Sequence, residues 1–105
     1  MDEATFRRVS EVALERLKQA LIVAEEASDS FEVEDNNGVM NVLFEDGTSK
    51  FVITPNTPVR QIWISALSTS FKLDWDAAAS AFVLPRTGEQ LIPLVDRLTA
   101  EHLGE

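Results

Sequence analysis

A chain of 105 residues with 18 acids, nine bases and a formal net charge of −9 is long enough for one domain and too short for two. Cysteine is absent, which excludes disulfides, thiolate metal sites and cysteine nucleophiles, and the single histidine, His102, excludes a multi-histidine centre. The acidity opposes nucleic acid and anionic lipid and favours basic partners or cations.

A hydrophobic content of 45% with only 4 Pro and 4 Gly fits a folded domain rather than a disordered chain. A domain of this size buries roughly 60–70% of the surface its unfolded chain exposes. No apolar run approaches the ~20 residues that span a bilayer. The start, MDEATFRR, is acidic and then polar and does not resemble a signal peptide, so a cytoplasmic protein is expected. The charge is uneven. Between Glu25 and Asp35 stand six acids and no base: Glu25, Glu26, Asp29, Glu32, Glu34 and Asp35.

Residues 4–27 read as a long helix, with Phe6, Val9, Ala13, Leu17, Ala20 or Leu21, and Ala24 at helical spacing. Leu14, Ile22 and Val23 fall off that stripe, so the apolar face is broad or continues onto a partner. FEVED, 31–35, alternates as a half-buried strand with Glu32 and Glu34 outward. Asn36-Asn37-Gly38 is a hairpin signal, because Asn and Gly tolerate positive φ. VMNVLFE, 39–45, is the return strand, Asp46-Gly47 a second hairpin signal, and SKFVIT, 49–54, a third strand that Pro55 and Pro58 break. RQIWIS, 60–65, is a fourth strand, and SFKLDW, 70–75, and AFVL, 81–84, add a fifth and sixth.

Residues 88–103 read as a closing helix with Leu91, Leu94 or Val95, and Leu98 on one face. Thr87 with Gln90 fits a capping box, but Pro93 then lies beyond the first turn, so an irregular start is expected. The order is helix, antiparallel meander, helix. Such a sheet can pack both helices on one face and leave the other wet.

In RQIWIS, Ile62 and Ile64 point one way while Gln61, Trp63 and Ser65 point the other. Trp63 is therefore either a core aromatic under a second layer or an interface anchor, a role in which Trp is enriched because it buries a large area and carries one N–H donor. Gln61 and Ser65 beside it supply hydrogen-bonding groups. Trp75 is expected to pack structurally where the fifth strand turns. His102, in the last turn of the closing helix, suits the helix dipole and needs no further role. Arg60, Lys72 and Arg86 are scattered and form no basic stripe for nucleic acid. A lone histidine near the end of the chain argues against a hydrolytic triad, and there is no Gly-rich phosphate loop.

Taken together, FVITPNTPVRQIWIS, the later Asp74-Trp75 and the closing TGEQLIPLV resemble the frataxin family, in its bacterial branch. The likeness runs from about Phe6 to about Leu103, and its most specific element is T-P-x-x-Q-I-W at Thr57–Trp63. The resemblance implies an α+β fold: a two-layer sandwich with two terminal helices on one face of a mainly antiparallel sheet of five to seven strands. It implies work in iron-sulfur cluster biogenesis, by binding the cysteine desulfurase and scaffold complex and changing its rate. It further implies weak binding of ferrous or ferric iron by carboxylates of the first helix and first strand, and a Trp63 exposed on the sheet as part of the partner surface.

The sequence departs from the family pattern in places. Later turns of the first helix, where acids are usual, hold Lys18, Gln19, Ile22 and Val23. The acidic ridge is shortened to Glu25–Asp35, with Glu11 and Glu15 detached from it as further partner contacts. An Asn common after the third strand is Thr54 here, and the aromatic of the sixth strand corresponds to Phe82.

Iron as a hard cation prefers carboxylate oxygen. Exposed carboxylates leave water in most coordination positions, so binding would be weak and exchangeable. Glu32 and Glu34 share a strand face about 7 Å apart. The same acids could instead act by charge alone, steering a basic partner with strong salt dependence, or could serve only solubility. With the resemblance, the expected function is an iron-binding regulator of cluster assembly, a monomer with no bond chemistry of its own. The alternatives are an iron donor or ferroxidase-like protein, and an acidic α-β module for another basic partner.

Overall fold

The computed structural model describes residues 1–47 and 49–104. The chain runs α1 (Glu3–Ser28), β1 (Phe31–Asn36), β2 (Val39–Phe44), β3 (Lys50–Asn56), a 3₁₀ turn (Thr57–Val59), β4 (Gln61–Ala66), β5 (Thr69–Asp76), β6 (Ala81–Val83) and α2 (Leu91–Leu103). The six strands form one antiparallel meander in chain order, with both helices packed on it. The fold is the expected two-layer α+β sandwich.

Local chemistry sets most of the boundaries. Asp2 caps α1 by accepting from the Thr5 amide at 2.7 Å. Asp29 ends the helix in the left-handed region at φ 55°, its amide donating to the Glu25 carbonyl. Asn37 and Gly38, at φ 54° and 86°, close the β1–β2 hairpin as their residue types foretell.

Alternation then fills the helix-covered face. Phe31, Met40, Val42, Phe44, Phe51, Ile53, Ile62, Ile64, Leu73 and Phe82 are all buried there. α1 lays Phe6, Leu17 and Leu21 onto them, with Val9, Ala13, Leu14 and Ala24 half-buried beside, and α2 adds Leu91, Leu94, Val95 and Leu98. Leu14 thus joins the core, whereas Val23 stays exposed. Phe82 meets the Phe6 ring edge-on at 5.9 Å and the Trp75 ring at 5.2 Å, so Trp75 is structural, as expected.

Most element ends shift by a residue or two from the sequence reading, and three of the shifts have a clear local cause. β3 continues through Pro55 to Asn56, because β2 pairs no further than Ile53 and the missing amide is tolerated where the strand end has only β4 beside it. β4 begins at Gln61, since Arg60 at φ 57° ends the 3₁₀ turn and donates from its guanidinium to the Thr57 carbonyl. α2 begins at Leu91, which puts Pro93 in the first turn, where an amide has no intrahelical acceptor anyway. The Thr87–Gln90 capping box is not formed. Thr87 instead accepts from the Glu89 amide at 3.1 Å, and Gln90 bridges to Val83.

Candidate partner face and acidic recesses

Gln61, Trp63 and Ser65 lie together on the sheet face away from the helices, because the isoleucines between them are buried under α1 and α2. Register sets what stands beside them. Trp63 faces Thr54 on one side and Lys72 on the other, Gln61 faces Asn56 and Asp74, and Ser65 faces Val52 and Ser70. The Trp63 indole N–H donates to Gln61 Oε1 at 2.8 Å, and Gln61 Nε2 donates to Asp74 Oδ1 at 2.9 Å. Lys72 Nζ sits 4.7 Å from the indole centroid, within cation–π range.

This arrangement fixes the ring before any partner arrives. The indole N–H is already engaged by Gln61, so it is not the free donor the sequence suggests. What Trp63 offers outward is ring surface, half-buried and held in place by an amide below it and an ammonium above one face. Thr54 occupies the position beside the ring and turns its hydroxyl onto the Pro55 carbonyl at 3.4 Å. Lys72 and Asp74 also belong to the face, although the sequence reading gave neither a place on it. Alternation in SFKLDW puts them on one side of β5; only the β4–β5 register, closed by an uninformative Leu67-Ser68 turn, puts them next to Trp63 and Gln61.

The acids divide among several surfaces. Glu25, Asp29 and Glu32 line a recess of about 440 Å³ at the end of α1, floored by Phe31, Leu43 and Phe44 and joined by Glu45. Glu45 is a member that the sequence reading missed, although an acid just before the Asp46-Gly47 turn was visible. Glu26 is exposed on α1, and Glu34 is exposed on the open face opposite Asn41. Asp35, one residue on, turns to the helix side and lies 3.5 Å from Lys18. There it shares a second recess, of about 460 Å³, with Glu11 and Glu15. Glu11 and Glu15 are therefore beside Asp35 rather than detached from it, and Glu15 accepts from Gln19 at 3.0 Å.

These carboxylates do not fit a closed iron centre. Among the described residues, no three His, Asp or Glu side chains converge as metal ligands. The strand's two-residue period separates Asp35 from Glu32 and Glu34, and the helix turns Glu26 away from Glu25 and Asp29.

His102 does more than end a helix. Its imidazole is only 10% exposed, stacks on Phe44 at 3.9 Å and places Nε2 3.2 Å from Asp46 Oδ2. It ties the end of α2 to the β2–β3 turn. Elsewhere on the surface, Arg97 clamps Glu89 through two bonds of 2.7 and 2.9 Å and also reaches Glu101 at 2.9 Å. That hydrogen bonding holds the Glu89 carboxyl below the usual carboxylate range. No described helix is long and apolar enough to cross a membrane.

Comparison with known proteins agrees with this geometry. The family model described as "Frataxin-like domain" matches residues 1–105. The iron-sulfur cluster assembly protein CyaY of Azotobacter vinelandii is 34% identical over 83 residues, spanning 79% of this chain and 74% of the relative. Its namesake in Pseudomonas aeruginosa is 30% identical over 105 residues, spanning 100% and 94%. Among solved structures, the frataxin of Psychromonas ingrahamii superposes with a TM-score of 0.76 at 18% identity, covering 100% of this chain and 94% of that one. A helix-covered antiparallel meander with Trp63 on its open face thus comes with a family match along the whole chain: it belongs to the frataxin-like family, in the bacterial CyaY-like branch.

Proposed function

We propose that this chain serves iron-sulfur cluster assembly as a regulatory adaptor, binding the cysteine desulfurase and scaffold complex through its open sheet face. One observation carries the reading: Trp63 is locked by Gln61, Asp74 and Lys72 on a sheet face that no helix covers. A large aromatic held rigid at a surface loses little side-chain freedom when a partner covers it, which is the property of a binding hot spot. It contributes nothing comparable to the core, which lies on the other side of the sheet.

The acids add charge. Glu32 and Glu34 extend the open face to the β1 edge, and Glu25, Glu26 and Asp29 continue it round the end of α1. Basic groups on a desulfurase would be steered to this rim, with an on-rate that falls as salt rises. Glu11, Glu15 and Asp35 lie on the helix side and would meet a partner that wraps that edge. Iron enters this scheme as cargo. Exposed carboxylates that do not converge would hold it loosely, with its hydration shell largely kept. Partner binding requires no iron.

The test is an amide-shift titration of the labelled protein with a cysteine desulfurase from the same organism in metal-free buffer. Joint shifts at Gln61–Ser65, Lys72, Asp74 and residues 25–35 are the expected result. Absence of binding, or shifts confined to the helices, would rule out this face as the contact. An anaerobic ferrous titration of the free protein then separates any iron contribution.

A further inference from the structure

The helix side carries a groove that the partner face and the acids leave unused. It lies between α1, the β5–β6 turn and the first turn of α2, with a volume of about 290 Å³. Val9, Val12, Ala13, Trp75, Phe82 and Ile92 make it apolar. Val12 is 48% exposed there, although its neighbours in the groove belong to the core or its border.

Arg8 and Arg16 stand on the rim, one turn before and one turn after Val12 on the same helix face. Neither forms a salt bridge among the described residues, whereas adjacent Arg7 pairs with Glu3 at 3.0 Å and Lys18 pairs with Asp35. In a chain with 18 acids against nine bases, two arginines outside any described salt bridge, with only the longer-range charge of Asp2 near Arg8, leave a place for an anion beside an apolar groove. The amide end of α2 opens on the same groove, and its Gln90 cap makes no side-chain hydrogen bond.

We propose that this groove binds a small amphiphilic carboxylate, with its apolar body on Val12, Trp75 and Ile92 and its carboxylate at Arg8 or Arg16. The volume is at the lower limit for ligand pockets, so the ligand is small. An inorganic anion would leave the apolar floor wet. A multiply charged acidic segment would be repelled by a molecule of net charge −9, so a single carboxylate, able to take a two-pronged guanidinium bond, fits best. The inference does not depend on the assembly role.

The full chain, isotopically labelled, is titrated with 4-phenylbutyrate and, in parallel, with its neutral amide. Saturable shifts are expected at the Trp75 indole and at amides 8–16 and 90–93, with the Trp63 indole as the unmoved reference. The amide should bind about fivefold more weakly than the acid, and the acid should lose about the same factor on Arg8→Gln/Arg16→Gln, both exposed positions. No saturable shift at millimolar concentration, shifts centred elsewhere, or equal binding of acid and amide would each overturn the proposal. The acid–amide comparison uses the unaltered protein, so it stands even where the double variant folds poorly.

Discussion

The two faces of the sheet are built from the same strands and obey opposite rules. On the helix side, Phe51, Ile53, Ile62 and Leu73 are fully buried in the apolar core. On the open side, at the alternate positions, Trp63, Gln61, Lys72 and Asp74 satisfy one another through two hydrogen bonds and a cation–π contact. One face is specified by volume, the other by polar geometry around a single aromatic ring. The contrast separates what folds the chain from what it can present to a partner, and substitutions on the two sides should divide accordingly.

The largest effect is expected in the core. Phe51→Ala removes a fully buried ring packed 4.8 Å from Phe44, and should lower stability by about 3–5 kcal/mol in urea unfolding. For a domain of this length that is a substantial part of the total. His102→Ala is next. It deletes the stack on Phe44 and the tie to Asp46, and about 1–2 kcal/mol of stability should go with it, read by the same unfolding curve. A loss this large would place the end of α2 with the core, although nothing in the sequence marks His102 as more than a helix terminus.

The β4–β5 turn offers a change of opposite sign. Leu67 and Ser68 hold φ 53° and 61°, a conformation that Asn-Gly adopts with less strain. Leu67→Asn/Ser68→Gly should therefore raise stability by about 1 kcal/mol while leaving the open face and its partner affinity unchanged. The smallest effect is expected at Glu89, on the surface. Its carboxyl is held low by Arg97, so the contribution is fully present above the ordinary carboxylate range and fades as pH falls through the lowered native value. Melting of Glu89→Gln against the parent should show a slight deficit at neutral pH that disappears in acid.

Most of the fold can be read from residue spacing because alternation and helical stripes directly record burial. Asn37-Gly38 announces its turn; Leu67-Ser68 does not, since neither residue prefers positive φ and the strands on either side force it. Pro55 and Pro93 mislead for a related reason. A missing amide matters only where a partner needs it, and pairing partners are a property of the tertiary fold. The same limit applies to the site. Gln61, Trp63 and Ser65 share a face by local period alone, while Lys72 and Asp74 join them only through strand register. The acidic run looks continuous along the chain, yet the strand period sends Asp35 to Lys18 on one side and Glu34 to the other.

The most direct test measures desulfurase affinity for the parent and for Trp63→Ala by titration calorimetry in metal-free buffer, with urea unfolding of both. The expected result is an affinity loss of at least about tenfold, against a stability loss of only about 1 kcal/mol from the cation–π contact and hydrogen bond. A folded Trp63→Ala protein that binds the desulfurase as tightly as the parent would contradict the assignment of the open face as the partner surface.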